Sequence, residues 1–436
     1  MRLINDNETI FRYYKYMKAG NNTYARLLNL FNKDGDNDYD DAFNVYMEKL
    51  YALVFKKRID AAEFEVHYDI YRKTLKEWLK DDKPYNQDAF VKEVSRKLNS
   101  KKLEEYTIYL GIHLKRAANV TFPIGSTLKV GAVKIKLRSF KQIAKVANGK
   151  YLNSLIAEYT KERYTTEQAT RMIIADYVFF QAKVEARQDF IAVKKVAMAF
   201  ELIAASATMA QERFKKVSYF GSHMLSGRNP IIDPYVFYVG EEESEIATYT
   251  VIDSHIKLPD ENLDFTKDKN QQNYYKKYLR IISNTEIRGI DLRIKDLLLE
   301  FKNAMGTSDP HIRALSLWRC LEVATRRANS TTRAQSEIVE ILGTYYTNSH
   351  WKEMGLLIKD GRNSYVHQGE GLNSLNRDMN LRWLQDYVSC SLSILMWMRG
   401  KKIGIVDESE ADYFFDMYPK PIKSYEIVLE MYKARK

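Results

Sequence analysis

Apolar residues recur at three-to-four spacing through AFNVYMEKLYALVFKK (42–57) and through EYTIYLGIHLKRA (105–117), so both stretches are predicted as helices. The period then shortens. In STLKVGAVKIKLRSF (126–140), Val133, Ile135, Leu137 and Phe140 come close to alternation, with Lys134, Lys136 and Arg138 on the opposite side. That is the pattern of a half-buried strand with a cationic outer row. YVFFQAKVEA (177–186) is a second strand candidate, and a long helix is expected over roughly 188–214. PYVFYVG and IATYTVI, around 234–252, predict a hairpin with the acidic turn EEESE between its strands. The polar stretch 256–273, which contains Pro259, has the character of a linker.

From about residue 285 the helical period returns. Ser308 or Asp309 is placed to cap a helix, with Pro310 in its first turn. That helix is expected to bury Ile312, Leu315, Leu317, Trp318 and Leu321, leaving the Glu322 carboxylate on or beside the apolar face and in need of a partner. A further helix closes near GRNSYVHQG (361–369). The next, over 381–398, lines up Leu381, Leu384, Val388, Leu392 and Leu395. Four helices in so short a span predict a compact bundle. The expected fold is α+β and mostly α. A helical region over 1–120 precedes a mixed α/β region over 121–284. The bundle follows over 285–400, and a mixed-charge tail over 401–436 packs on it.

Composition agrees with a folded chain: 45% of the 436 residues are hydrophobic, and there are only 8 Pro and 18 Gly. A chain of this length is expected to form two or three domains. MRLINDNETIFR lacks an apolar core of signal-peptide length, and the longest apolar run, VSCSLSILMWM (388–398), is too short and too rich in serine to span a bilayer. A soluble cytoplasmic protein without membrane contact is expected. The two cysteines, Cys320 and Cys390, fit that compartment as core thiols.

The net charge of +11 is concentrated. Residues 106–157 contain no Asp or Glu, and hold Lys115, Arg116, Lys129, Lys134, Lys136, Arg138, Lys141, Lys145 and Lys150. Lys129, Lys134, Lys136, Arg138, Lys141 and Lys145 are the candidate nucleic-acid contacts; the alternative is a solvated face. No Walker loop, GxGxxG or HExxH occurs, and no metal or other cofactor is expected. DGDNDYDD (34–41) alternates aspartates as a calcium loop does. Tyr39 and Val45, however, stand where such a loop needs Gly and Glu, so an acidic loop capping the next helix is expected instead.

GRNSYVHQG carries the candidate chemistry. Arg362, Asn363 and His367 lie within six residues. Histidine titrates near neutral pH and can serve as base or acid, while arginine is a permanent cation suited to phosphoryl oxygens. Asn363 lies one turn before His367 and can orient the imidazole or bond a phosphate. On an ideal helix Arg362 and His367 stand about 140° apart. They converge only if Gly361 or Gly369 ends the helix between turns, or if a second protomer supplies one of them.

This segment resembles the HEPN superfamily of nucleases, whose signature is Arg, a polar residue that is often Asn, three variable positions and His. Arg362 through His367 fits it without departure. LSLWRCLE (315–322) resembles the second-helix signature of the ApeA-like branch found in bacterial abortive-infection proteins, where a Trp and a Glu recur as Trp318 and Glu322 do here. The strand-plus-helix 177–203 is similar in pattern to segments that precede HEPN domains in some of these proteins. The resemblance covers about 285–400. It implies a metal-independent endoribonuclease with Arg362, Asn363, His367 and Glu322 in the site, and a homodimer whose two motifs line one cleft. RNA, with tRNA a candidate, is the implied substrate. A role in anti-phage defence or as a toxin follows from the same resemblance, with a phage-derived trigger or an antitoxin as partner. Glu322 is then a candidate to pin Arg362, against the alternative of Arg326 on its own helix. A non-catalytic HEPN-type module for dimerisation and RNA binding, or a phage sensor, is the competing reading.

Overall fold

The computed structural model describes residues 20–31, 41–55, 63–113, 127–161, 164–212, 235–240, 245–251, 269–283, 289–307, 309–329, 331–344, 349–368, 374–400, 403–405, 407–420 and 426. The loop 34–40, the turn 241–244 and the linker 252–268 lie outside them, as do Lys115 and Arg116. The chain is mostly helical with one antiparallel-paired sheet. It divides into two compact units, residues 1–105 with 185–194, and residues 106–184 with 195–436.

The first unit is built on helices α1 (residues 20–31), α2 (Asp41–Phe55), α3 (Phe64–Lys80) and α4 (Gln87–Ser100). Its core is aromatic. Tyr51 meets Phe55, Phe64, Tyr68 and Tyr71 with ring centres 4.9–5.4 Å apart. His67 is buried in this cluster, and its Nδ1 lies 3.1 Å from the Tyr51 hydroxyl. Trp78 donates to Glu93 at 2.7 Å, and Asn86 caps α4 by accepting from the Ala89 amide. Tyr71 and Tyr24 donate to the carbonyls of Met47 and Lys83 at 2.8 and 3.0 Å, as burial of a polar tip requires, whereas the buried Tyr85 hydroxyl makes no hydrogen bond among the described residues.

The second unit opens with a six-stranded sheet of order β2-β3-β4-β1-β5-β6. The strands are β1 (Glu104–His113), β2 (Thr127–Val130), β3 (Val133–Arg138), β4 (Tyr177–Ala186), β5 (Tyr235–Gly240) and β6 (Glu245–Val251). β3, β4 and the β5–β6 hairpin stand where alternation predicts them. β1 does not: 105–117 is expected to be helical, yet 104–113 is a strand. The reason is its place inside the sheet. Ile108, Tyr109 and Leu110 are buried in succession, so both faces of β1 are covered and the two-residue alternation disappears. The Tyr, Thr and Ile content of the segment favours the strand.

After β3, Ser139 and Gln142 form a reciprocal capping box that ends the strand and starts the short helix α5 (Phe140–Ile143). Phe140 is thereby taken out of the inward row, and it is partly exposed. A 3-10 turn (Val146–Gly149) leads into α6 (Lys150–Lys161) and α7 (Thr166–Asp176). Together they bury Ile143, Tyr151, Leu155 and Ile173 against Tyr109, Phe179 and Tyr238 of the sheet. Phe180, on the other sheet face, meets Phe200 of α8 (Asp189–Glu212) edge-on at 5.0 Å. From Leu202 to Ala210 α8 is buried without a break, as a helix covered on every side is.

Helices α9 (Lys269–Ile282), α10 (Ile290–Gly306), α11 (Pro310–Thr325), α12 (Gln335–Gly343), α13 (Ser349–Gln368), α14 (Ser374–Met398) and α15 (Glu408–Met417) complete the unit. Lys302 of α10 pairs with Glu201 of α8. Asp309 caps α11 by accepting from the amides of His311 and Ile312, with Pro310 in the first turn. Leu317, Trp318 and Leu321 are buried as expected, but Leu315 is half-buried and Ile312 is 52% exposed. Arg313 turns inward in its place and donates to the Thr307 carbonyl from Nε at 2.9 Å. The α14 row Leu381, Leu384, Val388, Leu392 and Leu395 is buried throughout. Both thiols are buried, and burial pushes that of Cys320 well above its ordinary pKa. Of the tail, α15 packs on the bundle through Ala411 and Phe415.

Candidate active site and cationic sheet face

α13 carries the Arg-Asn-His segment in its last two turns. Trp351, Gly355, Ile358 and Arg362 follow one another on a single row of this helix, by its 3.6-residue repeat. The row packs on α14. Trp351 and Tyr387 stack with ring centres 4.4 Å apart, and the Tyr387 hydroxyl donates to the Trp351 carbonyl. The two helices come close there because residue 355 has no side chain. A Cβ at Gly355 would sit 2.9 Å from Tyr387 Cζ and from Val339 Cγ1.

Arg362 extends this row and is half-buried. Its Nη1 is 3.5 Å from Asn363 Oδ1, at the outer limit of a hydrogen bond. Its Nε is buried and makes no hydrogen bond among the described residues. On α14, five residues before Tyr387, Arg382 has a buried Nη1, and Asp386 follows one turn later. Burial raises the pKa of the Asp386 carboxyl, and Arg382 opposes that rise. Periodicity offered no signal for this pair.

No break in α13 brings Arg362 and His367 together. The helix runs without interruption from Ser349 to Gln368, straight through Gly361. Position 367 is therefore about 140° from position 362 around one axis. The His367 side chain lies outside the described residues.

Glu322 does not join Arg362. Its Oε1 accepts from Trp318 Nε1 at 2.9 Å, one turn back on α11. Arg326, the other expected partner, pairs instead with Asp296 at 2.8 Å and with Glu408 at 3.3 Å. The Trp-Glu pair of LSLWRCLE thus satisfies its own indole N–H, and Glu322 leaves the set of residues gathered at Arg362.

The basic segment divides. Lys129, Lys134 and Lys136 are exposed on one face of β2 and β3, and Lys141 and Lys145 are exposed just beyond β3. Arg138 departs from the expected outer row. It is half-buried, and its Nε donates to Gln181 Oε1 at 3.1 Å, while Gln181 donates to the Tyr109 hydroxyl at 3.1 Å. This side chain fixes the junction of β3, β4 and β1. The β3–β4 register adds a residue outside the acid-free segment: Lys183 lies directly across from Lys134.

Among the described residues, no three His, Cys, Asp or Glu side chains gather as a metal site requires, and no helix is long and apolar enough to cross a membrane. Comparison of the chain with protein-family models, curated proteins and solved structures finds no match.

Proposed function

We propose that the chain is a metal-independent endoribonuclease of the HEPN kind, acting in anti-phage defence or as a toxin, with Arg362, Asn363 and His367 as its catalytic groups. The observation that carries this reading is the state of Arg362. It sits on the helix row facing α14, half-buried, next to Asn363 and with its Nε unbonded among the described residues. A half-buried guanidinium whose Nε finds no hydrogen bond among the described residues is costly, and a phosphate oxygen is a ligand its planar fork fits.

In this reading the 2′-OH of RNA attacks the adjacent phosphorus. A His367 imidazole takes the hydroxyl proton, Arg362 stabilises charge on the phosphoryl oxygens, and a second imidazole protonates the 5′-oxygen as it leaves. One chain carries a single His367, so a symmetric dimer supplies the other acid–base group. The unbroken course of α13 favours the same arrangement, because it separates Arg362 from His367 within one copy.

The test is incubation of purified wild type, Arg362→Ala and His367→Ala proteins with total tRNA and a matched DNA in EDTA. Wild type is expected to cut RNA alone, leaving a 2′,3′-cyclic phosphate, since DNA lacks the attacking hydroxyl. Each variant is expected to lose on the order of 10²–10⁴ in rate while remaining folded. A fully active His367→Ala protein ends the proposal. Cutting by none of the three would favour the second reading, a non-catalytic dimerisation and RNA-binding module, for which the exposed lysines of β2 and β3 are the supporting observation.

A further inference from the structure

The sheet face that packs on α5–α7 continues past those helices into a row of exposed lysines. Tyr109, Phe179 and Tyr238 hold the helices at one side. On the same face, Lys129 of β2 stands opposite Lys134 of β3, and Lys134 stands opposite Lys183 of β4. Strands lie about 4.8 Å apart, so three ammonium groups share one line across the sheet. Lys136 begins a second line, between Thr127 and Gln181.

Like charges placed directly opposite destabilise a sheet. Lys129, Lys134 and Lys136 are exposed, and none makes an ion pair or hydrogen bond among the described residues. Glu185, two residues beyond Lys183 on β4, is the nearest acidic position on these three strands. Lys129 and Lys134, directly opposite each other, therefore keep a repulsion that no ion pair or hydrogen bond among the described residues relieves, and a polyanion relieves it.

We propose that this face binds the phosphate backbone of single-stranded nucleic acid. Three features select that partner. The outward positions Thr127, Lys129, Lys134, Lys136 and Lys183 include no apolar or aromatic residue. A membrane-surface site carries apolar groups for insertion, and a protein interface carries a buried apolar centre; the lysine row has neither, and the exposed Phe140 beside Phe179 lies beyond the opposite end of β3 from Lys134. Cations at the close, even pitch of paired strands suit a chain of successive phosphates, which a flexible single strand can lay along them. With no ring to stack on and no edge-reading pair in the row, contact is with the backbone and is indifferent to sequence. The site is distinct from the Arg362 region and does not depend on the cleavage reading.

The experiment is fluorescence anisotropy of the full chain with a labelled thirty-nucleotide oligodeoxynucleotide and with the RNA of the same sequence. DNA without the 2′-OH keeps cleavage out of the binding measurement, so the failure of either idea is seen separately. The variant is Lys129→Gln/Lys134→Gln/Lys136→Gln. Its affinity for both strands is expected to fall roughly tenfold or more at 0.1 M salt, and the slope of log K against log salt to flatten by about 2, near 0.7 per lost contact. The triple change Lys80→Gln/Lys92→Gln/Lys276→Gln, with exposed lysines on α3, α4 and α9, should leave both values as in wild type. Because the row is repulsive, the sheet variant is also expected to melt no lower than wild type. Unchanged affinity and slope in a folded sheet variant would overturn the proposal. So would equal losses in the two triple variants, or tighter binding to anionic phospholipid vesicles or polyglutamate than to either oligonucleotide.

Discussion

Arg293 of α10 and Arg333, just before α12, hold their guanidinium carbons 5.7 and 5.9 Å from the centre of one ring, that of Phe415 on α15. Three of the carboxylates that pair with them come from the same helix as Phe415, and Glu337 of α12 stands 3.8 Å from Arg333. Glu408 pairs with Arg293, and Asp412 and Asp416 pair with Arg333. These three acids lie four residues apart along α15, so a single helix face seals both buried cations. Removing one partner of a buried pair leaves a charge without compensation. Burial already lowers the Arg293 pKa, and Glu408 opposes that effect. Glu408→Gln is expected to lower unfolding free energy by about 3 kcal/mol in urea titrations. Adding Arg293→Met should return a large part of the loss, because the stranded cation is then gone. A double variant no more stable than the single one would show that Arg293 is not the group Glu408 neutralises.

Gly355 gives a prediction of opposite sign to its helix propensity. Alanine for glycine inside an exposed helix stabilises by about 1 kcal/mol. Here the new Cβ meets the Tyr387 ring and Val339, so Gly355→Ala should instead destabilise by roughly 1–3 kcal/mol. The nearest obstacle is the Tyr387 hydroxyl. Gly355→Ala/Tyr387→Phe should therefore be more stable than the sum of its single changes. A chemical-denaturation cycle on the four proteins measures this coupling, and strict additivity would reject the contact.

His67 links the first unit to pH. Burial lowers its pKa from 6.5 to about 4, against an opposing pull from Glu63. The folded chain thus binds its proton less readily than the unfolded chain. Between pH 6.5 and about 4 the unfolded state carries the extra proton, so stability rises with pH in that window. The His67 contribution is complete above pH 6.5, is lost as pH falls toward 4, and changes no further below. Comparing wild type with His67→Gln at pH 7.5 and pH 5 isolates it. The variant should lose less stability on acidification, and parallel losses would show that His67 is not held neutral.

Sequence pattern reaches some of these features and not others, for physical reasons. β3 is legible because one face is wet and one is dry, and α8 because its apolar run is too long for a strand. Asp309-Pro310 announces its helix by local capping chemistry alone. β1 is not legible, since burial on both faces removes the alternation that marks a strand. Ile312 is misplaced because Arg313 reaches a carbonyl inside the bundle and takes the inward position, which hydropathy does not foresee. Arg138 looks like one more surface cation until the register sets Gln181 beside it. At the candidate site, residue types are readable from GRNSYVHQG, but the partner of Glu322 is set by the geometry of α11.

The two-imidazole mechanism also decides how active and inactive copies should behave together. The proposed cleavage takes its base and its acid from His367 of two different copies. A dimer of wild type with His367→Ala then holds a single imidazole and should be inactive. Co-refolding wild type with an equal amount of His367→Ala makes a quarter of the dimers wild type, so roughly a quarter of the activity of an all-wild-type sample at the same total concentration should be found, against about half if each copy cuts by itself. The measurement is single-turnover RNA cleavage by the refolded mixture, with size-exclusion chromatography to establish that dimers are present. If dimers form and half of the activity remains, the two imidazoles do not serve one site.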